Sequence, residues 1–149
     1  MTKLPLLAAP AIAAILTACG GGPPADLFLV TRSGSIPGAK LALRVIDDGG
    51  VSCNGGPRHD ITSEQLIEAR ELRRELDGDD HAKDKAEQEG LVAQHLDLPP
   101  GKVTTLSYRV RSEKGTVAFS DTSAHQPQAF YRIAKLTRDL ARQACGLAR

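Results

Sequence analysis

The sequence predicts an α+β domain: an antiparallel sheet of about four strands with two helices packed on it, in the order β-β-α-β-β-α. Three observations lead there. Short apolar runs with strand character come in two pairs. A stretch of helical periodicity follows each pair. Clusters of glycine, proline and aspartate separate them. Strand pairs joined by short turns and covered by helices are the pattern of an α+β architecture.

Residues 26–32 (Asp-Leu-Phe-Leu-Val-Thr-Arg) form an apolar, β-prone run, the first strand. Residues 33–38 follow as a turn or short loop with two glycines and a proline. In residues 40–47, Leu41, Leu43 and Val45 fall on one face and Ala42, Arg44 and Ile46 on the other, which predicts the second strand. Asp47-Asp48-Gly49-Gly50 breaks it, and Val51-Ser52-Cys53 reads as either a short third strand or a return. Residues 61–76 give the clearest helix. Thr62-Ser63-Glu64-Gln65 fits a capping box, and Leu66, Ala69, Leu72, Arg73 and Leu76 recur at helical spacing as the inward stripe. Residues 77–89 are charged and read as an exposed loop, with a loose helical turn near residues 83–88.

Pro99-Pro100-Gly101 turns the chain into a third main strand over residues 103–111, with Leu106, Tyr108 and Val110 on one face. Glu113-Lys114-Gly115 is a hairpin turn, and residues 116–120 are its partner strand, with Val117 and Phe119 inward. Pro127 starts the last helix, since proline suits a first turn. Phe130, Ile133, Ala134, Thr137, Leu140, Ala141 and Ala144 make its buried stripe. Lys135, Arg138 and Arg142 make a basic solvent face, and Gly146 stops the helix.

The amino terminus has another character. Lys3 is followed by an apolar run over residues 4–16, short of the about 20 residues a spanning helix needs. A charge, then an apolar stretch, then small residues is the order of a cleaved export signal. The run ends in Leu16-Thr17-Ala18-Cys19. That tetrad resembles the lipobox of bacterial lipoproteins. The resemblance implies cleavage before Cys19, a diacylglycerol on its thiol, and further acylation of the palmitate type. Two or three acyl chains hold a protein stably, where a single one is marginal. An ordinary secretory signal and an uncleaved anchor are the alternatives. Residues 1–18 are thus the signal peptide and residues 19–25 the lipidated cysteine with its tether. Gly20-Gly21-Gly22-Pro23-Pro24 reaches at most roughly 17 Å. Residues 26–149 form a single domain, placed by this reading in the cell envelope, extracytoplasmic and close to the membrane.

Lysine and arginine total 19, aspartate and glutamate 18; loss of Lys3 with the signal leaves them in balance. A neutral domain gives no reason to expect nucleic acid as a partner. Aromatics are scarce, with three Phe, two Tyr and no Trp, so the core rests on aliphatic residues, and the scarcity argues against a large sugar-stacking platform. With Cys19 lipidated, Cys53 and Cys145 remain. An even pair in an exported chain reads as one disulfide, the alternative being two separate thiols.

No catalytic set stands out. Nucleophile-elbow, phosphate-loop and His-Glu-x-x-His motifs are lacking, so the chain reads as a non-enzyme without a cofactor. His59, His81, His95 and His125 fall in loops or at element ends and read as solvated. Ser120, Asp121 and His125 are near in sequence, but a triad is an arrangement in space. Asp77, Asp79 and Asp80 lack the ligand pattern and closing glutamate of a calcium loop, so no metal is expected.

Three segments carry a family resemblance. They are Val30-Thr31-Arg32-Ser33-Gly34-Ser35-Ile36-Pro37-Gly38; Pro99-Pro100-Gly101 leading to Leu106-Ser107-Tyr108-Arg109-Val110; and Val117-Ala118-Phe119-Ser120-Asp121-Thr122 ahead of a proline-started helix. Over residues 26–147 the chain resembles the emfourin family, small protein inhibitors of thermolysin-like metalloproteases. It departs from the family pattern in having Ser35 in place of a second glycine, a lipid anchor and the expected disulfide. The resemblance implies a cofactor-free domain that binds a secreted metalloprotease by surface complementarity. Arg32, Ser33, Gly34, Ser35, Ile36, Pro37 and Gly38 are then the candidate partner contacts, the plain alternative being a hairpin connection. The rival function is an envelope interaction or assembly lipoprotein with no enzyme target.

Overall fold

The structure, a computed structural model, describes residues 25–147. The signal, Cys19 and almost all of the tether lie outside the described residues. Six strands form one antiparallel sheet: β1 (Asp26–Gly34), β2 (Leu41–Ile46), β3 (Gly50–Cys53), β4 (Arg58–Asp60), β5 (Leu106–Arg111) and β6 (Thr116–Ser120), in the order β4-β3-β2-β1-β5-β6. Three helices accompany it: α1 (Ser63–Asp77), α2 (Lys85–Glu89) and α3 (Gln128–Gln143). The α+β class and the antiparallel sheet hold. The expected count of four strands and two helices is too low, and the order gains two strands before the first helix and a helix after it.

One face of the sheet is apolar because the strands alternate. Phe28 and Val30, then Leu41, Leu43 and Val45, then Tyr108 and Val110, then Val117 and Phe119 all turn to the same side and are buried. Helices α1 and α3 cover them with Ala69, Leu72 and Leu76 and with Phe130, Ile133 and Leu140. Tyr108, Phe119 and Phe130 stack in series at 5.1 and 4.4 Å between ring centres. Arg132 of α3 binds Glu68, Glu71 and Glu75 on successive turns of α1, fixing the two helices against each other. Arg73, expected in the inward stripe, instead lies at its rim and pairs with Asp77 and Glu113.

Helix α1 starts where the capping box requires. The Thr62 hydroxyl accepts from the Gln65 amide, and the Gln65 side chain accepts from the Thr62 amide. Its last residue, Asp77, is buried and accepts from Ser112 Oγ and the Lys114 amide, pinning α1 to the β5–β6 hairpin. The excursion over residues 78–90 closes on itself. The Asp79 amide donates to Glu87 O at 2.9 Å and the Leu91 amide to Glu75 O at 3.0 Å. Gly78 and Gly90 meet backbone to backbone, with no room for a Cβ on either. Within this segment, expected as an exposed loop with a loose helical turn near residues 83–88, the turn is α2, capped by Asp84.

The disulfide is present: Cys53 at the end of β3 and Cys145 just past α3 are joined with a Cα–Cα distance of 5.7 Å. Both sheet edges are blunted. The β4 edge is three exposed polar residues, Arg58, His59 and Asp60. At the β6 edge the Ala118 amide donates to Leu96 O, and the Leu98 amide donates to Ala118 O, so residues 96–98 cover it.

Candidate functional site

The segment Arg32 to Gly38 divides in two. Strand β1 continues through Gly34, paired with Leu106 of β5, and β2 begins at Leu41, so the connection runs over residues 35–40 rather than the expected 33–38. Arg32 falls in phase with Phe28 and Val30, and its side chain points into the domain, 1% exposed. Its guanidinium reaches under the loop, Nε donating to Ala39 O at 2.9 Å and Nη2 to Gly38 O at 2.8 Å. Arg32 is thus corrected from a candidate contact to the support beneath one. Burial lowers its pKa from the ordinary arginine value; Tyr108, its cross-strand partner, opposes that shift and Arg138 adds to it. Burial likewise raises the Tyr108 phenol, against the pull of Arg138 and Arg32.

Ser33, Gly34, Ser35, Pro37 and Gly38 are exposed, while Ile36 is half-buried and packs on the core. The Ala39 amide donates to Ile36 O at 3.1 Å and closes the turn, and Gly38 takes the positive φ that the turn needs. A loop held by a buried guanidinium, a half-buried isoleucine and a turn hydrogen bond keeps its shape before any partner arrives, which lowers the ordering cost of binding.

The alternative chemistry is not assembled. The Asp121 carboxylate accepts from the Thr105 and Leu106 amides, and Ser120 Oγ is hydrogen-bonded within reach of Ser123 and Thr122. Their bonds organise a turn and do not reach His125. Among the described residues no group of three or more His, Cys, Asp or Glu is placed to hold a metal ion. A cleft of about 500 Å³ lies between α1, α2 and the start of α3, walled by Ala86, Leu91 and Pro127 and edged by Glu71, Asp79 and Glu87. No helix of the described residues is long and apolar enough to cross a membrane. Comparison with family models, with curated proteins and with solved structures finds no match.

Proposed function

We propose that this chain is a membrane-anchored, extracytoplasmic lipoprotein, lipidated at Cys19, whose domain binds a partner protein, with a thermolysin-like metalloprotease as the target it inhibits. The observation that carries this reading is the preformed β1–β2 loop: exposed Ser33, Ser35, Pro37 and Gly38 above a buried Arg32 that grips the loop carbonyls. An inhibitor loop has to resist rearrangement in a protease cleft, and this one is braced from beneath. The Cys53–Cys145 disulfide agrees with an oxidising, extracytoplasmic location. The position of the loop agrees as well. Strand β1 begins next to the tether and ends at the loop, eight residues later, which at about 3.4 Å per residue sets the loop roughly 27 Å from the tethered end. An anchored domain of this build offers the loop away from the bilayer.

Two measurements test the reading. Intact mass of the mature protein should show cleavage before Cys19 and added acyl mass there. The purified protein should slow peptide hydrolysis by a thermolysin-like protease. Unchanged cleavage across several such proteases removes the inhibitor, and recovery of envelope proteins without a protease on pull-down favours an assembly role instead.

A further inference from the structure

We infer that the β1–β2 loop is one half of a composite contact surface, and that its other half is the loop of residues 101–104, with Val103 as the apolar anchor entering a side-chain pocket of the partner. The inference rests on the protease-binding reading above and identifies the residue that gives that binding its specificity.

The two loops are in direct backbone contact. The Ser35 amide donates to Thr105 O at 3.2 Å. A Cβ placed on Gly34 falls 2.0 Å from the same oxygen, so the approach depends on glycine there. The second loop is as firmly held as the first. The Gly101 amide donates to Thr122 Oγ1 at 3.1 Å, and Thr104 Oγ1 and Thr122 Oγ1 share a hydrogen bond of 2.7 Å. The Thr105 and Leu106 amides donate to the Asp121 carboxylate immediately afterwards. Val103 stands on this frame 78% exposed, more than the other exposed large apolar residues, Ile67 and Tyr131.

A solitary exposed valine is ordinary on a protein surface and means nothing by itself. Here its flanks are fixed on both sides, and it adjoins the loop already singled out on other grounds. The surroundings are Gly, Ser, Thr and Pro, with Lys102 as the one charge in this loop and the exposed Lys40 at the end of the β1–β2 loop. A rigid ridge with two lysines, no carboxylate of its own and a branched aliphatic side chain at its crest matches a concave apolar pocket within a cleft. Binding there buries Val103 with little desolvation of polar groups, the profile of an interface anchor.

The experiment uses the purified, detergent-solubilised full-length protein and its Val103→Ala, Val103→Asp and Val103→Leu variants, against a panel of thermolysin-like proteases with a peptide substrate. Val103→Ala should raise the inhibition constant about tenfold and Val103→Asp about a hundredfold or more, while Val103→Leu stays near wild type or shifts the ranking of proteases. Melting temperatures should match wild type, since Val103 makes little of the core. Wild-type inhibition with an unaffected Val103→Asp variant overturns the anchor and leaves the broader reading standing. Failure of the wild-type chain to inhibit any protease overturns both, and is distinguished by being seen before any variant is made.

Discussion

Replacing Arg32 with methionine separates the shape of the contact loop from the rest of the fold. Methionine keeps much of the aliphatic stem and removes the guanidinium. Two hydrogen bonds disappear, to Ala39 O at 2.9 Å and Gly38 O at 2.8 Å. Each bond from a charged donor contributes about 1.5–3 kcal/mol, so the gross loss is roughly 3–6 kcal/mol. Methionine also abolishes the desolvation penalty that lowers the Arg32 pKa, which offsets part of it. The net expectation is a loss of about 2–4 kcal/mol, read by equilibrium urea unfolding. Amide exchange at Ala39 reports the loop itself, because that amide closes the turn onto Ile36. It should accelerate in the variant more than amides of β2 or β5. Arg32→Lys should fall between, since an ammonium cannot reproduce the two-nitrogen grip. A loss below about 0.5 kcal/mol, with Ala39 exchange as in wild type, refutes the view that Arg32 braces the loop.

Other perturbations reach other parts of the structure. Joint replacement of Cys53 and Cys145 by alanine opens a cross-link spanning 92 residues, and the chain-entropy model gives a loss of up to about 4.6 kcal/mol in urea unfolding; a loss under about 1 kcal/mol contradicts it. Gly90→Ala places a Cβ 2.3 Å from Gly78 N and 2.4 Å from Leu76 O at a φ of +70, so a loss of about 3 kcal/mol or more is expected, and a thermal midpoint equal to wild type argues against the backbone pinch. The hydrogen bond from Lys135, helped by Arg142, lowers the Asp139 pKa. A depressed carboxylate contributes stability above its unfolded pKa of about 3.9 and loses it as pH falls through the folded value, so Asp139→Asn should flatten the acid limb of stability by up to about 1 kcal/mol. An acid limb identical to wild type in unfolding titrations counts against that pairing.

The parts of the fold legible in the sequence are those fixed by local chemistry. Thr62 and Gln65 announce the start of α1 because a capping box uses only neighbours. The alternation of Leu41, Leu43 and Val45 places β2 because one face of the sheet is wet. Strand β4 escapes because Arg58, His59 and Asp60 lie on an edge with no apolar face to reveal. Helix α2 has no buried residue, so it leaves no stripe; what shapes it is the meeting of Gly78 and Gly90, twelve residues apart. Residues 103–105 read as the start of a strand, yet Thr122 holds the Thr104 side chain and Asp121 accepts from the Thr105 amide, both from a distant turn, and they keep the segment as a loop. The resemblance over residues 30–38 counts Arg32 among the contacts because a motif does not say which way a side chain points. The corrective signal was present, since Arg32 keeps the two-residue phase of Phe28 and Val30.

The placement of charge gives the composite surface a further, testable property. At the tethered end of the sheet the turns are tied down by ion pairs: Arg70 with Asp47 at 2.6 Å, Arg58 with Asp48 at 3.2 Å, Arg73 with Glu113 at 2.5 Å and Lys114 with Asp80 at 3.4 Å. At the opposite end, among the described residues, the loops of residues 35–40 and 99–105 take part in no such pair and are held by hydrogen bonds and packing. Apart from Lys40 and Lys102, the charges that would have to shed water on binding are thus concentrated away from the proposed contact. Long-range electrostatic steering should then contribute little to association, and apolar burial around Val103 should dominate. Inhibition measured at low salt and at about 1 M, where the screening length shrinks to about 3 Å, should agree within about threefold. A steep loss of inhibition with added salt points to a charged contact, such as the exposed Arg109 and Arg111 on the uncovered sheet face, and moves the binding surface off the loop end.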